Sequence, residues 1–410
     1  MKWEKVKLKD CCIKIGSGAT PKGGATVYLD SGITFIRSQN VYNLHFDYDG
    51  IAYITDDAAE KLNGVTIYEN DILLNITGDS VARTCMVPKE VLPARVNQHV
   101  AIVRANQDLM NSRFLSYYLA SPQMQAHMLN LAVGKGASRN AITKIMIENF
   151  EVSCPPIETQ RRIADILSTY DDLIENNQKQ IKLLEEAVQR LYKEWFVDLR
   201  FPGYEQTKII DGVPEGWEKV CLKAYCDIKS GYAFKSKDWN KSGCGVIKIK
   251  DISNKFVDYS DCDFVPKDIA EKAANYYLNQ GDLVIAMTGA TIGKIGICTK
   301  EGYYANQRVG KVFLGNKPKE KLPYAYCILS QKSTMDFILN NSSASSAQPN
   351  ISGDKICDIK IVYNEVYVMR FNKKMKSVFE KMILLKEQNE MLSVIRDNLL
   401  PKLMSGEIEV

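Results

Sequence analysis

Among residues whose spacing could do chemistry, Gly289-Ala290-Thr291-Ile292-Gly293-Lys294 comes nearest to a phosphate-binding loop. Three residues rather than four separate its glycines, and Ile295 stands where Ser or Thr would hold magnesium, so it reads as a glycine-shaped turn between two strands. No Gly-x-Gly-x-x-Gly follows a strand, which leaves a dinucleotide or comparable cofactor without its usual fingerprint. Asn-Pro-Pro or Asp-Pro-Pro followed by an aromatic, the usual arrangement for amino-group methylation, is also missing. So are Gly-x-Ser-x-Gly and His-Glu-x-x-His. The carboxylate pairs Asp56-Asp57 and Asp171-Asp172 sit beside helix starts or on an exposed helix face, where they read as capping or solvated residues. His45, His99 and His127 are far apart in sequence, and each reads as a surface or satisfied core residue. The expectation is a chain with no catalytic centre, no cofactor and no metal.

What the loops do carry is chemistry suited to base edges and phosphates. Arg37-Ser38-Gln39-Asn40 offers Arg for guanine, Gln or Asn for adenine, and a hydroxyl for phosphate. The loop holding Lys135, Ser138, Arg139 and Asn140 has the same character, as does its counterpart from Gln348 to Asn350. Lys250, and Arg83 with Lys294 at matching places, complete the candidate DNA contacts. Asn97-Gln98 and Asn306-Gln307 keep their identity, which favours a role in the framework of a turn over base contact. Loop residues that differ between the copies are the better candidates for specificity.

Those matching places exist because residues 1–200 are written a second time, in diverged form, as residues 215–410. Trp3-Glu4-Lys5-Val6 returns as Trp217-Glu218-Lys219-Val220, and Ser17-Gly18 as Ser230-Gly231. Asn70-Asp71 through Thr77-Gly78 returns as Gly281-Asp282 through Thr288-Gly289, and Asn97-Gln98-His99-Val100 as Asn306-Gln307-Arg308-Val309. Short alternating runs predict strands at 32–36, 71–74 and 100–103, with partners at 245–249 and 282–285. Helices are expected near Arg113–Leu131 and Leu322–Asn340, so each module mixes α and β.

Each copy ends in a long heptad helix. Ile163, Leu167, Tyr170, Ile174, Asn177, Ile181, Leu184, Val188, Leu191 and Trp195 form one seam. The second runs through Phe371, Met375, Val378, Met382, Leu385, Asn389, Leu392, Arg396, Leu399 and Leu403. Neither seam carries the wider apolar face of a helix packed only on its own module. Antiparallel pairing with Ile163 opposite Leu403 sets Asn177 opposite Asn389 and Arg396 beside Tyr170, where a cation–π or hydrogen-bonded contact would relieve the charge. A slip of one heptad would bury each amide against an apolar side chain, at roughly 1–3 kcal/mol apiece. The competing reading is that both amides face solvent or a partner helix.

Composition sets outer bounds. Hydrophobic residues make up 45% and charged residues 25%, ordinary for a soluble globular protein. No apolar run reaches the roughly 18 residues needed to span a bilayer, and Met1-Lys2-Trp3-Glu4 lacks a signal-peptide core, so a cytoplasmic location is expected. Eleven cysteines without a Cys-x-x-Cys point to reduced thiols. A net charge of +4 permits nucleic acid but implies that partners supply part of the grip.

Several segments together resemble the specificity subunits of type I restriction-modification systems. They are Leu399-Leu400-Pro401-Lys402-Leu403-Met404-Ser405-Gly406-Glu407-Ile408, Pro155-Pro156-Ile157-Glu158-Thr159-Gln160, and the openings Gly16-Ser17-Gly18-Ala19-Thr20-Pro21 and Ser230-Gly231-Tyr232-Ala233-Phe234-Lys235. Where the first helix opens with prolines, the second has Tyr363-Asn364-Glu365-Val366-Tyr367-Val368, which leaves its exact start open. The resemblance implies an α+β fold: tandem target-recognition domains at 1–155 and 202–363, with spacer helices at 156–201 and 364–410 forming a pseudo-twofold antiparallel coiled coil. It also implies that each domain reads half of a bipartite site on double-stranded DNA. The helices would act as a ruler and dock two methyltransferase subunits, with restriction subunits joining the full complex. From Ile163 to Trp195 a helix runs roughly 50 Å, against about 34–36 Å between half-sites one DNA turn apart. A single-chain DNA-modifying enzyme and a coiled-coil protein scaffold are the alternatives.

Overall fold

The computed structural model describes residues 3–133, 140–253, 255–343 and 348–410. The chain forms two compact units, Met1–Leu173 with Met391–Val410, and Ile174–Glu390. These boundaries cut through both long helices, Ile157–Tyr192 and Glu365–Ser405. The reason is packing. Ile163, Leu167, Leu400 and Leu403 close the same core as Phe114 and Phe150.

In the first unit a four-stranded sheet runs Thr84–Met86, Ile72–Asn75, Val100–Ala105, Cys12–Ser17. A five-stranded sheet holds Ile33–Ile36, whose Thr34 pairs in parallel with Ala94. The second unit repeats the scheme, with Leu283–Ala286 beside Val309–Phe313 in one sheet and Gly245 paired in parallel with Tyr303 in the other. The predicted strands are found within a residue or two.

Their alternation feeds two different cores. Ile72, Leu74, Ala101 and Val103 face the helices, while Leu73, Val100 and Ile102 face a second cluster with Ile36 and Val96. Leu283, Ile285 and Val312 against Val284, Ala286 and Val309 repeat the division in the second unit. Each of these strands therefore shows water neither face.

One buried ion pair recurs beside these strands. Asp71 meets Arg104 at 2.6 Å, and Asp282 meets Lys311 at 3.0 Å. Each carboxylate also accepts a backbone N–H, from Tyr68 and Asn279 respectively, both at 2.8 Å. The cations satisfy themselves further on the carbonyls of Thr66 and Tyr277. Burial demands this completeness, since an unpaired charge at such a site costs several kcal/mol, on the order of 3–5.

Each helix expected near 113–131 and 322–340 is in fact two. Ser112–Ala120 breaks before Pro122–Ala132, because Ser121 caps the new helix and Pro122 opens it. Pro318–Leu329 likewise precedes Lys332–Asn340.

The first long helix is anchored by buried Gln160, which accepts from Asn111 N–H and donates to Pro155 C=O, each at 2.8 Å. The second starts at Glu365. Asn364 caps it, its side-chain oxygen accepting from the N–H groups of Val366 (3.0 Å) and Tyr367 (3.3 Å).

Within the second unit Asn177 donates to Asn389 at 2.9 Å, and Asn389 donates to the Ile174 carbonyl at 3.2 Å. Trp195 and Phe371 pack with ring centroids 6.1 Å apart, so the helices run antiparallel there. The buried face is wider than the seam alone, because Asn372, Phe379 and Ile383 also turn inward onto the module. The narrow-seam expectation is corrected on this point: each helix half packs on its partner and on a module at once.

In the first unit Arg396 does not rely on Tyr170. It donates to the neighbouring Asp171, which also accepts the Tyr117 hydroxyl. A charge-assisted bond to a carboxylate serves a mostly buried guanidinium better than a ring face does. Burial pushes the Asp171 carboxyl above its ordinary range, and the Arg396 charge opposes that rise.

Asn177→Leu is expected to lower stability by about 1–3 kcal/mol in urea unfolding, because it strands the Asn389 amide. Adding Asn389→Leu is expected to restore most of the loss. A double variant as unstable as the sum of the two single variants would contradict a direct amide pair.

Candidate nucleic-acid interface

The framework of each module's loop end is set by one glycine. A Cβ on Gly18 would lie 2.1 Å from the Val96 carbonyl oxygen, and one on Gly231 2.2 Å from that of Ala305. Only glycine permits this approach. It locks the turn Asn97–Val100 and its counterpart Asn306–Val309, where Val100 N–H and Val309 N–H bond back to the carbonyls of Asn97 (3.1 Å) and Asn306 (2.8 Å). Buried Asn97 accepts from His99 N–H at 3.1 Å, which is a framework role.

The Thr-Gly turn lies against this one. Gly78 N–H bonds to Asn140 C=O at 3.1 Å, and Gly289 N–H to Pro349 C=O at 3.0 Å. Ile142 and Ile351 then donate to Ile76 and Met287, at 2.8 and 3.0 Å. This register makes Pro349 the partner of Asn140, and Asn350 the partner of Ala141, a shift the sequence did not disclose. The turn from Gly289 to Lys294 links the antiparallel strands Leu283–Ala286 and Ile295–Ile297, with left-handed backbone at Gly289 (φ 75°) and Gly293 (φ 81°). Gly78 (φ 74°) and Ala82 (φ 74°) repeat it in the first unit. This is the strand-linking turn expected from its glycines.

The candidate residues separate into several groups. Arg37 and Gln39 both donate to the Gly50 carbonyl, at 2.7 and 3.3 Å, which holds them to their own loop. Asn40 is fully buried: its oxygen accepts from Arg37 N–H (3.0 Å), and its nitrogen donates to the carbonyls of Asp47 and Asp49. That corrects its assignment as a DNA contact, because every polar atom of the amide is used inside the loop. Arg83 lies over the Tyr42 ring at 4.5 Å, and Lys294 occupies the same place in the second turn, its carbonyl accepting from Ala286 as that of Arg83 accepts from Asn75. Lys250 is held by Asp261 at 2.8 Å, so its charge is largely answered within the loop. Asn140, Gln348 and Asn350 are exposed. Lys135, Ser138 and Arg139 lie outside the described residues.

Two residues the candidate set omitted stand in the same place. His99 Nδ1 bonds with Thr77 Oγ1 at 2.8 Å, and Arg308 donates to Gln348 at 3.5 Å. The signal was present in sequence, since position 99 in the first copy and position 308 in the second differ inside an otherwise repeated Asn-Gln-x-Val.

A duplicated α+β module that gathers hydrogen-bonding side chains on rigid turns defines a recognition protein. The model of the type I restriction modification DNA specificity domain matches residues 1–186 and again 214–363, and the chain belongs to that family. The MjaVIII specificity subunit of a type I restriction enzyme from Methanocaldococcus jannaschii is 27% identical, over 89% of this chain and 87% of that one. The HindI specificity subunit from Haemophilus influenzae is 22% identical, over 92% and 94%. A crystal structure of a type I system S subunit from M. genitalium shares the fold, with TM-score 0.57 at 17% identity over 98% of this chain and 96% of that one. No described helix is long and apolar enough to cross a membrane.

Asp251 occupies the second-copy position of Asn40 and accepts from Lys248 N–H at 2.8 Å, as Asn40 does from Arg37. A carboxylate cannot donate as the amide does, and burial pushes the Asp251 carboxyl up to about 6. Its folded value lies above the unfolded value of about 3.9, so its contribution to stability is full below about pH 4 and is lost as pH rises through 6. Asp251→Asn is therefore expected to raise the urea midpoint at pH 7. The gain should shrink towards pH 4, and a gain independent of pH would contradict this origin.

Proposed function

We propose that this chain is the DNA-recognition subunit of a cytoplasmic type I restriction-modification complex and carries no catalytic centre of its own. Each module reads one half of a bipartite, asymmetric site on double-stranded DNA. The two long helices set the spacing between the halves and dock two methyltransferase subunits, and restriction subunits join that core in the full complex. The observation that carries this reading is the double family match laid over two modules with one shared loop framework and different loop side chains. Identical backbone hydrogen bonds hold the turns in both modules, so what varies between them is the chemistry displayed. That is the property two readers of different sequences require.

Two measurements test it. At one fixed salt concentration, the ratio of specific to non-specific affinity is expected to be much higher for the assembled complex with methyltransferase subunits than for the chain alone, as its small net charge demands. Equal ratios would contradict the role of partners. Arg83→Ala is expected to weaken recognition of one half-site and Lys294→Ala the other, each by about 1–3 kcal/mol if the side chain reaches a base. Uniform weakening across all sequences would instead make both phosphate contacts.

A further inference from the structure

The geometry points to His99 and Arg308 as a matched pair of specificity-determining residues, each reading a base edge in the half-site of its own module. This rests on the proposal that the modules read DNA. The backbone around the two positions is the same. His99 C=O accepts from Ile76 N–H and Arg308 C=O from Met287 N–H, both at 3.0 Å. Asn97 N–H and Asn306 N–H donate to Ile36 and Ile247, again both at 3.0 Å. With Gly18 and Gly231 wedged behind these turns, neither can shift to suit its side chain. Position 99 in one module and 308 in the other are thus one fixed platform presenting two chemistries.

What each side chain touches completes the case. The Thr77 hydroxyl holds His99 Nδ1 at 2.8 Å, which fixes the ring plane and leaves Nε2 beside exposed Gln98 at 3.4 Å. Arg308 is exposed, and among the described residues its one guanidinium hydrogen bond is to Gln348 at 3.5 Å, which leaves donors of its fork available. A fixed imidazole offers a single donor or acceptor to a base edge, whereas the Arg fork matches guanine O6 and N7. The Thr288–Asn350 bridge and the Gly289–Pro349 bond bring Asn350 and Gln348 to the same turn, so Arg308 stands among residues suited to the same task.

The test uses the chain with its methyltransferase subunits in cells, with adenine methylation mapped across the genome. The unaltered complex first supplies a motif, and a motif that is not bipartite would remove the underlying reading before any variant is made. Given a bipartite motif, His99→Arg is expected to change base preference by about tenfold or more at one or two positions of one half, leaving the other half untouched. Arg308→Ala is expected to relax preference only in the other half, and Arg308→Lys to restore it in part. His99→Asn and thermal melting of each complex separate a folding defect from a reading defect, because a folding defect lowers methylation at all sites and leaves the motif unchanged. An unchanged motif in variants that melt like the parent overturns the proposal. So does a single substitution that alters both halves.

Discussion

Strands that are buried on both faces leave a module very little choice about where to be polar. Leu73 and Leu74 point into opposite cores, as do Val284 and Ile285, so polar display is pushed to the strand ends and the turns beyond them. The buried Asp71–Arg104 and Asp282–Lys311 pairs lie at the start of these strands, where each carboxylate also satisfies a turn N–H. A two-sided core of this kind tolerates neither slippage nor added volume. Rigid turns at the strand ends are the result.

That rigidity explains why divergence has been concentrated as it has. The glycines that back the Asn-Gln turns are the same in both copies because any Cβ would collide with a carbonyl oxygen. The side chain that follows the repeated Asn-Gln meets no such limit, and there the copies differ, His99 in one and Arg308 in the other. Asn40 and Asp251 are an instructive intermediate. Both keep the bond to the N–H three residues back, but the second copy has exchanged an amide for a carboxylate in a buried place and carries a raised carboxyl as a result.

How much of this the chain discloses in advance depends on the range of the interaction. Strand positions and the heptad seams follow from local periodicity, and the Asn177–Asn389 contact follows from counting along two seams that each carry one asparagine. Interactions joining distant segments outside the two seams are not legible. Nothing near Asp71 points to Arg104, nothing near Arg396 favours Asp171 over Tyr170, and the burial of Asn40 depends on carbonyls of residues 47 and 49 folding back over it. His99 was passed over for a related reason. An isolated histidine has no spacing to judge it by; its difference from Arg308 inside the repeated Asn-Gln-x-Val is readable from the sequence, but the contact that holds its ring, Thr77, is not.

The asparagine pair also bears on which helices can associate with which. If two copies of the first helix paired with each other in the same antiparallel offset, Ile163 would meet Trp195 and Asn177 would meet Ile181 rather than another amide. Two copies of the second helix would set Asn389 against Leu385 and Arg396 against Val378. Like-with-like association therefore strands polar groups against hydrocarbon in both cases, while the pairing of unlike helices satisfies them. One hydrogen bond between two different helices thus selects which helix can be the partner, and identical helices fail that test.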